Sequence, residues 1–375
     1  MAAKPVAQDG FKAGRRTTIA DVSSALGLTK GTVSRALNGY PDISDATRLR
    51  VERAAERLGY RPLSHAQAIR TGRVRSLGLV LQIDEHDAHA PFLTDFLAGV
   101  SEAASAENWT LAVATANSDS DMRRTLQRMT EDHKADGYIL PRTRMEDPRV
   151  AYLRGAGVPF ILYGRTDDPE GCAWYDTSGE VSMRAAVARL FGLGHRRIGF
   201  VGGGREYTYT VLRHQGYLRG MADMGLTSEP GLQRFDARRT SEASEATEAL
   251  MCQDLPPTAI IFATDEAAMG AYPVADRLGL TIGADLSIIG YDGIPEGEFA
   301  QPPLTTCVVD ARRAGTRLAE LFIQLVRGTK PEDLREEETA RFVSRGTDRA
   351  PTRSPAELGR LIASKSAVRS TERVN

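Results

Sequence analysis

The sequence predicts a small all-α head followed by a larger α/β core with parallel sheets. Residues 17–62 contain three short amphipathic segments with helix-capping signals, and from Ser76 onward β-rich runs alternate with helical stretches. Charge divides the chain in the same place, because residues 1–75 hold 14 Lys and Arg against 6 Asp and Glu, whereas the remainder holds 34 against 43. The basic end predicts a polyanionic partner, and 375 residues suffice for two or three domains.

The first two helices are predicted from capping residues and apolar spacing. Thr18 and Asp21 form a capping-box pattern, and Gly27 ends the segment that follows. Thr29 can cap the second helix. The inward positions are Ile19, Val22 and Leu26 in the first helix and Val33, Ala36 and Leu37 in the second.

A third helix is predicted to begin after Ser44 and to end at Gly59. Its buried positions are Val51, Ala54, Ala55 and Leu58, and its outward positions are Arg48, Arg50, Arg53 and Arg57. A tight glycine-containing turn between the first two helices is typical of a helix-turn-helix, whose second helix lies in the major groove of DNA. Residues 17–62 are therefore predicted to bind DNA.

The outer face of the second helix is polar, small and cationic, which suits the edges of DNA bases. We expect Arg35 to bind a guanine through two hydrogen bonds, Lys30 to reach a base or a phosphate, and Gly31 to let the backbone approach closely. Residues expected to hold phosphates and set the register are Thr29, Thr32, Ser34 and Asn38. The alternative is an ordinary solvated helix face, which the three helices, the turn and the positive charge together disfavour.

The run TIADVSSALGLTKGTVSRALNG, followed by PDISDATRLRVERAAERLGYRP, resembles the DNA-binding head of the lactose-repressor (LacI/GalR) family. The resemblance covers residues 17–345, and it implies a hinge helix over residues 63–75 that orders on DNA and pushes an apolar wedge into the minor groove. The wedge falls on Ile69, where the family usually carries Leu, and Gln67 stands where many members have a basic residue. The alternative for this segment is a disordered linker with Ile69 packed on the core.

Residues 76–345 are predicted to form the effector-binding and dimerisation core. The strand candidates are SLGLVLQI, TLAVATA, GYIL, VPFILYG, RRIGFVGG, TAIIFA and LSIIGYD, with helices between them. The resemblance implies two lobes of the periplasmic-binding-protein type, with crossovers near Tyr175, Thr305 and residue 335. Ligands of open α/β sheets bind at the carboxyl ends of the strands, so a cleft between the lobes is the expected site.

Two residues of the second lobe carry the effector prediction. Arg213, in the run RHQGY, corresponds to the family arginine that donates to effector oxygens, and Asp292, which ends SIIGYD, corresponds to the carboxylate that accepts from the ligand. A donor fork facing a carboxylate suits a polyol, so the effector implied is a sugar or a sugar derivative. Thr264 follows TAIIFA where many members have Asn and is also assigned to the effector site, whereas Asp265 is interpreted as a helix cap.

The first lobe supplies further candidates, which follow its strands or precede its crossover. They are Gln82, Asp84, Phe92, Arg142, Arg165 and Trp174. An apolar ring with polar groups at the rim is the expected composition of a sugar pocket. For each of the six, a surface or packing role is the alternative.

Several other functions are disfavoured by the sequence. Cys172, Cys252 and Cys307 are scattered and contain no CxxC pair, which fits a reducing compartment and no zinc finger. The run DEHDAH is interpreted as a solvated loop without a metal, GGG lacks the Lys-Ser/Thr of a phosphate loop, and no nucleophile and base stand at recognisable spacing. No cofactor and no enzymatic activity are therefore predicted.

The tails are predicted to be simple. Residues 1–16 are polar and basic and are interpreted as a flexible arm without an export signal, which is either disordered or touches DNA nonspecifically. Residues 346–375 are rich in Ser, Arg, Thr and Pro and are interpreted as a tail that is unfolded or only transiently helical. No run approaches a membrane span, so the predicted location is the cytoplasm.

The sequence as a whole predicts a homodimeric transcriptional regulator, a repressor, that binds double-stranded operator DNA under the control of a small-molecule effector. The rival interpretation is a solute-binding protein or an enzyme of sugar metabolism with a vestigial head.

Overall fold

The computed structural model describes residues 17–60, 73–82 and 90–372. They form two compact units, one ending at Val74 and the other beginning at Arg75. The predicted basic arm, nearly all of the hinge with Ile69, and Asp84 lie outside the described residues, as does the side chain of Phe92. No helix in the described ranges is long and apolar enough to cross a membrane.

Residues 17–60 of the head form three short helices around one small core. They are α1 (Ile19–Leu26), α2 (Lys30–Leu37) and α3 (Asp45–Arg57). The predicted caps are present: Thr18 and Asp21 form a capping box, and the side chains of Thr29 and Ser44 accept from the backbone N–H three residues on. The core side chains are Val22, Val33, Ala36, Val51 and Ala54.

One burial prediction in the head is wrong. Leu58 is the C-cap residue of α3 and is 36% exposed, so the buried stripe of this helix ends at Ala55. Arg50, predicted to point outward, donates a hydrogen bond of 2.9 Å to the Leu26 carbonyl at the end of α1. The third helix is thus tied to the turn between the first two.

The first lobe of the core is a six-stranded parallel sheet covered by helices. Its strands are β1 (Ser76–Gln82), β2 (Thr110–Ala116), β3 (Gly137–Leu140), β4 (Phe160–Tyr163), β5 (Ala173–Thr177) and β11 (Arg335–Glu338), in the spatial order β11-β5-β4-β3-β1-β2. Its helices are α4 (Ala90–Ala106), α5 (Asp119–Glu131), α6 (Pro148–Gly155) and α13 (Ala311–Val326). Apolar clusters lie on both faces of the sheet.

Helices α4 and α13 pack unusually closely. A Cβ atom at Gly99 would overlap the carbonyl of Arg312, and one at Gly315 would overlap the carbonyl of Phe96. Glycine at both positions therefore lets the two backbones meet.

The second lobe repeats the arrangement. Its strands are β6 (Ile198–Val201), β7 (Gln233–Arg234), β8 (Ala259–Phe262), β9 (Ser287–Asp292), β10 (Thr305–Val308) and β12 (Arg341–Val343), in the order β12-β10-β9-β8-β6-β7, and only β12 runs antiparallel to its neighbour. Its helices are α7 (Gly179–Gly192), α8 (Thr208–Asp223), α9 (Thr240–Met251), α10 (Asp265–Met269), α11 (Ala271–Leu278) and α12 (Pro295–Phe299). The predicted two-lobed α/β architecture is confirmed.

The chain crosses between the lobes three times: after Thr177, after Val308, and between Glu338 and Arg341. These positions agree with the crossovers expected near Tyr175, Thr305 and residue 335. All seven predicted strand runs are strands, whereas β5, β7 and β10–β12 were not predicted, because they are short and three of them are polar.

The prediction of an unfolded tail is wrong. Beyond residue 345 the described chain contacts the second lobe and includes helix α14 (Pro355–Glu372). Leu358 is fully buried and Ile362 nearly so, both in the apolar cluster that includes α11, and the buried Thr347 donates to the Ile288 carbonyl at 2.7 Å. The low apolar content of the tail did not indicate this helix. Two apolar residues four positions apart are enough to form one narrow buried stripe on a helix.

Candidate functional site

The outer face of α2 presents exposed cationic and small residues. Lys30, Gly31 and Arg35 are exposed, as predicted for groups that reach base edges. The Arg35 guanidinium pairs with the Asp42 carboxylate at 2.6 Å, and its Cζ lies 5.4 Å from the centroid of the Tyr40 ring. Tyr40 and Asp42, which sequence reasoning missed, follow α2 and hold this arginine at the surface of the head.

The other predicted contact residues of α2 also shape the ends of the helix. Thr29 Oγ1 accepts from the Thr32 backbone N–H at 3.1 Å and lies 2.9 Å from the Thr32 hydroxyl. Asn38 Nδ2 donates to the Ser34 carbonyl at 2.6 Å. These four side chains remain at or near the surface, so their capping role is compatible with phosphate contacts.

A cavity of about 420 Å³ lies between the two lobes of the core. From the first lobe it is lined by the ends of β1, β3 and β4 and by residues that follow them, among them Gln82, Arg142 and Arg165. From the second lobe it is lined by the start of α8 and the ends of β8 and β9, which contribute Arg213, Thr264 and Asp292. Six of the nine predicted effector residues thus meet in one cavity, at the carboxyl ends of parallel strands as expected.

Arg213 is a buried cation of the cavity. It projects from α8, is 9% exposed, and donates through Nη1 to the Ala263 carbonyl. Its Nη2 lies 3.5 Å from Asp292 Oδ1, and its Cζ lies 3.6 Å from the centroid of the Tyr291 ring and 5.0 Å from that of Tyr209. Burial against two rings fixes the plane of the guanidinium and leaves it facing the carboxylate.

Asp292 is a largely buried anion opposite Arg213. It ends β9 with a φ of 120°, a conformation that side-chain-bearing residues rarely adopt and that costs on the order of 1–3 kcal/mol. Burial raises the pKa of the Asp292 carboxyl to about 7, although the neighbouring Arg213 charge lowers it. The carboxylate can accept from ligand hydroxyls, and it gains this capacity as the pH rises through neutrality.

The structure corrects the interpretation of Asp265. The cap of α10 is Thr264, whose Oγ1 accepts from the Ala267 N–H at 3.2 Å, and Asp265 is the first residue of the helix. Asp265 cannot cap the helix because its carboxylate turns inward and accepts from the backbone N–H groups of Gly293 and Ile294. Thr264 lines the cavity, and its hydroxyl oxygen caps α10.

Three of the first-lobe candidates line the cavity. Gln82 and Arg142 line the cavity, and Arg142 has a φ of 49°, a strained conformation for arginine that Arg149 supports by donating to its carbonyl at 3.1 Å. Arg165 also lines it, but it is paired with Asp176 at 2.6 Å and with Glu180 at 2.7 Å.

Trp174 is not among the described residues that line the cavity. Strand alternation directs it into the cluster on the opposite side of β5 from Tyr175, and its ring centroid lies 5.9 Å from the Arg165 Cζ.

Sequence reasoning missed the contact that joins the lobes across the cavity. The Thr208 N–H donates to the Thr143 carbonyl at 2.9 Å, and the Arg144 Cζ lies 5.7 Å from the Tyr207 ring centroid while its Nη2 pairs with Asp119. The run PRTRMEDPR directly after β3 was the available signal, since residues after strand ends line such clefts.

Thr208 also offers an unused polar atom. Its side chain is 2% exposed, and its Oγ1 has no hydrogen-bond partner within the part of the chain that the structure describes. Because Thr208 lines the cavity, this hydroxyl can bond to a polar ligand there.

Comparison with known proteins agrees with both parts of the chain. Residues 18–63 match the bacterial regulatory proteins of the lacI family, and residues 187–347 match a periplasmic binding protein-like domain. The HTH-type transcriptional regulator AglR of Rhizobium meliloti is 32% identical over 344 residues, which cover 89% of this chain and 95% of AglR.

Two solved structures share the fold. A complex of the transcriptional regulator CelR with cellobiose is 27% identical, covers 88% of this chain and all of that chain, and has a TM-score of 0.68. The lac repressor dimer bound to operator and the anti-inducer ONPF is 24% identical, covers 90% of this chain and all of that chain, and has a TM-score of 0.73, which shows the likeness of fold.

Proposed function

The chain belongs to the LacI family of bacterial transcriptional regulators, and from this premise we propose that it is a homodimeric repressor that leaves its operator when a sugar fills the cavity between its lobes. The observation that carries the proposal is the largely buried pair of Arg213 and Asp292 at the carboxyl ends of the strands. Family membership makes the chain a regulator and not an enzyme, so the rival interpretations of an enzyme and a solute-binding protein are set aside.

The proposed DNA contacts follow from the exposure of the α2 face. Arg35 is the proposed guanine reader, with Lys30 and Gly31 beside it, and Thr29, Thr32, Ser34 and Asn38 are proposed to contact phosphates. Ile69 remains the proposed minor-groove wedge of the hinge. Because its target is chromosomal operator DNA, the proposed place of action is the cytoplasm.

The proposed effector is a sugar because the cavity pairs hydrogen-bonding groups with apolar walls. Arg213 supplies donors, Asp292 supplies acceptors, and Thr208 supplies a hydroxyl, whereas Leu93, Tyr163 and other apolar residues line the walls. A volume of about 420 Å³ lies within the roughly 300–1,000 Å³ typical of small-molecule sites. The solved complex of CelR with cellobiose supports the proposal that the effector is a sugar.

The proposed switch uses the contacts between the lobes. A ligand shifts an equilibrium only by binding its states with different affinity, and a sugar that contacts both lobes binds the closed state more tightly. Closure is favoured by the Thr208–Thr143 hydrogen bond and by Arg144 over Tyr207. We propose that closure separates the two hinges of a dimer and so weakens operator binding.

A thermal-shift screen against monosaccharides, disaccharides, sugar phosphates and nucleobases tests the effector proposal. A ligand that binds only the folded state raises the melting temperature by mass action, and Asp292→Asn should abolish the shift. A shift from nucleobases alone, or a sugar shift that survives Asp292→Asn, would contradict the proposed site.

Selection of bound sequences from random DNA tests the head. Wild-type protein should enrich a near-palindromic site, and Arg35→Ala should enrich this site much more weakly while its sugar-induced thermal shift is retained.

A further inference from the structure

Asp265 is a buried carboxylate that takes no part in lining the cavity. Its exposure is 0%, and it lies at the start of α10, immediately after the cavity-lining Thr264. A carboxylate removed from water requires compensating hydrogen bonds. Its partners therefore indicate what it is for.

Within the described chain, three groups donate hydrogen bonds to the Asp265 carboxylate. Oδ2 accepts from the backbone N–H of Gly293 at 2.7 Å and of Ile294 at 3.0 Å, and Oδ1 lies 2.6 Å from the Thr306 hydroxyl. Space for the carboxylate is reserved by Gly290 in β9, where a Cβ atom would overlap Asp265 Oδ1. The backbone after β9 is thus bound to α10 by a charge-assisted pair of hydrogen bonds.

The segment that Asp265 holds begins directly after Asp292. Asp292 has the strained φ of 120°, and its own carbonyl accepts from the Val309 N–H at 3.0 Å, at the second crossover between the lobes. Strained backbone persists only where its surroundings fix it. Asp265 on one side and Val309 on the other provide that restraint.

We infer that Asp265 is a positioning residue of the effector site: it binds no effector itself and fixes the backbone from which Asp292 reaches the ligand. The inference rests on the proposed role of Asp292 in sugar binding. It assigns a new role to a residue whose sequence context suggested only a helix cap.

The isosteric change Asp265→Asn weakens this arrangement without opening a cavity. The amide oxygen can still accept from the two backbone N–H groups while the NH₂ group donates to the Thr306 hydroxyl, but the amide carries no charge, so the hydrogen bonds to the backbone become weaker. The looser hold on Asp292 should weaken sugar binding by about tenfold or more, which corresponds to about 1.4 kcal/mol for each factor of ten.

Asp265→Asn should also move the pH dependence of binding. The cations that face Asp292 are Arg213 and Arg142, the other carboxylate is Asp265, and the neighbouring neutral titratable groups are Tyr163, Tyr209, Tyr291 and Cys307. Removing the Asp265 charge removes a repulsion that raises the pKa of Asp292. The midpoint of the pH dependence should then shift to lower pH, which a loss of folding stability alone would not produce.

The matched control is Asp285→Asn in the same lobe. Asp285 is also buried, accepts from the Thr281 N–H at 2.9 Å and pairs with Arg353, and it is not among the described residues that line the cavity. This variant should lower the melting temperature and leave sugar affinity and its pH midpoint unchanged.

The experiment titrates cellobiose, maltose, melibiose and raffinose separately into the full-length wild-type, Asp265→Asn, Asp285→Asn and Asp292→Asn proteins by calorimetry at several pH values. Amide hydrogen exchange of residues 293–294 is measured in parallel and needs no ligand. Compared with the wild type and with Asp285→Asn, the Asp265→Asn protein should bind sugar more weakly, with a lower pH midpoint and faster exchange at these two amides.

Wild-type affinity or unchanged exchange in Asp265→Asn would overturn the inference. If none of the four sugars binds the wild-type protein, the exchange measurement decides the role of Asp265. If Asp292→Asn binds a sugar as wild type does, the proposed effector site is wrong, and exchange at residues 293–294 still reports on Asp265 separately.

Discussion

The head and the core each hold an Arg–Asp pair at the centre of a proposed function, and the two pairs differ in their surroundings. In the head, Arg35 and Asp42 are 2.6 Å apart with side chains 53% and 46% exposed, whereas in the core Arg213 and Asp292 are 3.5 Å apart and 10% and 18% exposed. The Arg35–Asp42 contact is shorter but contributes less free energy, because water screens the charges of an exposed pair. In the buried pair, removing either residue leaves the other charge buried without its partner.

The difference suits what each pair is proposed to bind. An exposed guanidinium can exchange its carboxylate partner for a guanine at small cost, which helps a head that must scan many sequences. A buried pair presents fixed donors and acceptors to a small ligand and loses affinity sharply when one member is removed. Exposure therefore separates a readily released contact from a preorganised one.

The largest effect is expected from Arg213→Ala. It leaves the Asp292 carboxylate buried without its cation, so the free energy of unfolding of the core should fall by about 3 kcal/mol and the sugar-induced thermal shift should disappear. Denaturant unfolding and the thermal-shift screen measure the two losses. If the free energy of unfolding of Arg213→Ala equals that of the wild-type protein, this pair contributes no more to stability than an exposed pair does.

Arg35→Ala should weaken operator binding and leave the stability of the protein nearly unchanged. Specific operator affinity should fall by about 1–3 kcal/mol, as for loss of one bidentate base contact, with little change in stability because the side chain is half exposed. Titration of labelled operator DNA and thermal unfolding of the same protein test this. Conservative Arg35→Lys restores the charge without the fork and should recover nonspecific binding only.

The pH dependence should separate the two sites. Because the pKa of Asp292 is about 7, sugar binding should strengthen as the pH rises through neutrality and the acceptor ionises. The raised pKa also means that this group favours the folded core most below its unfolded pKa, and that this contribution is lost as the pH rises through about 7. Calorimetric titration and denaturant unfolding across neutral pH check both signs, and Asp292→Asn, which should not bind the sugar, should remove the pH dependence of stability.

The smallest effect is expected from Asp42→Asn. Removing one partner of an exposed pair should change the stability of the head by less than about 1 kcal/mol. Freed from this carboxylate, Arg35 should bind nonspecific DNA slightly more tightly, so the ratio of specific to nonspecific affinity should fall. Competition between operator and random DNA measures that ratio, and an unchanged ratio would show that Asp42 does not restrain Arg35.

Local patterns were enough to predict much of the molecule. Thr18, Thr29 and Ser44 cap their helices as expected, since capping depends on residues only three positions apart. Six of the seven predicted strands were recognisable because buried parallel strands are continuous apolar runs, whereas the seventh, β2, lies at the edge of its sheet and is mostly not buried. The meeting of Arg213 and Asp292 in one cleft was available only through resemblance to a family, since 79 residues separate them.

Three features were decided by tertiary structure. Asp265 faces inward because the backbone after β9 offers it two N–H donors, and the sequence next to it shows only a helix start. Arg165 is committed to Asp176 and Glu180, so its position after a strand did not reveal its partners. The final helix folds because Leu358 and Ile362 find an apolar surface on the second lobe. Sequence determines periodicity and caps through short-range contacts, whereas burial and pairing of charges depend on residues that only the folded chain brings together.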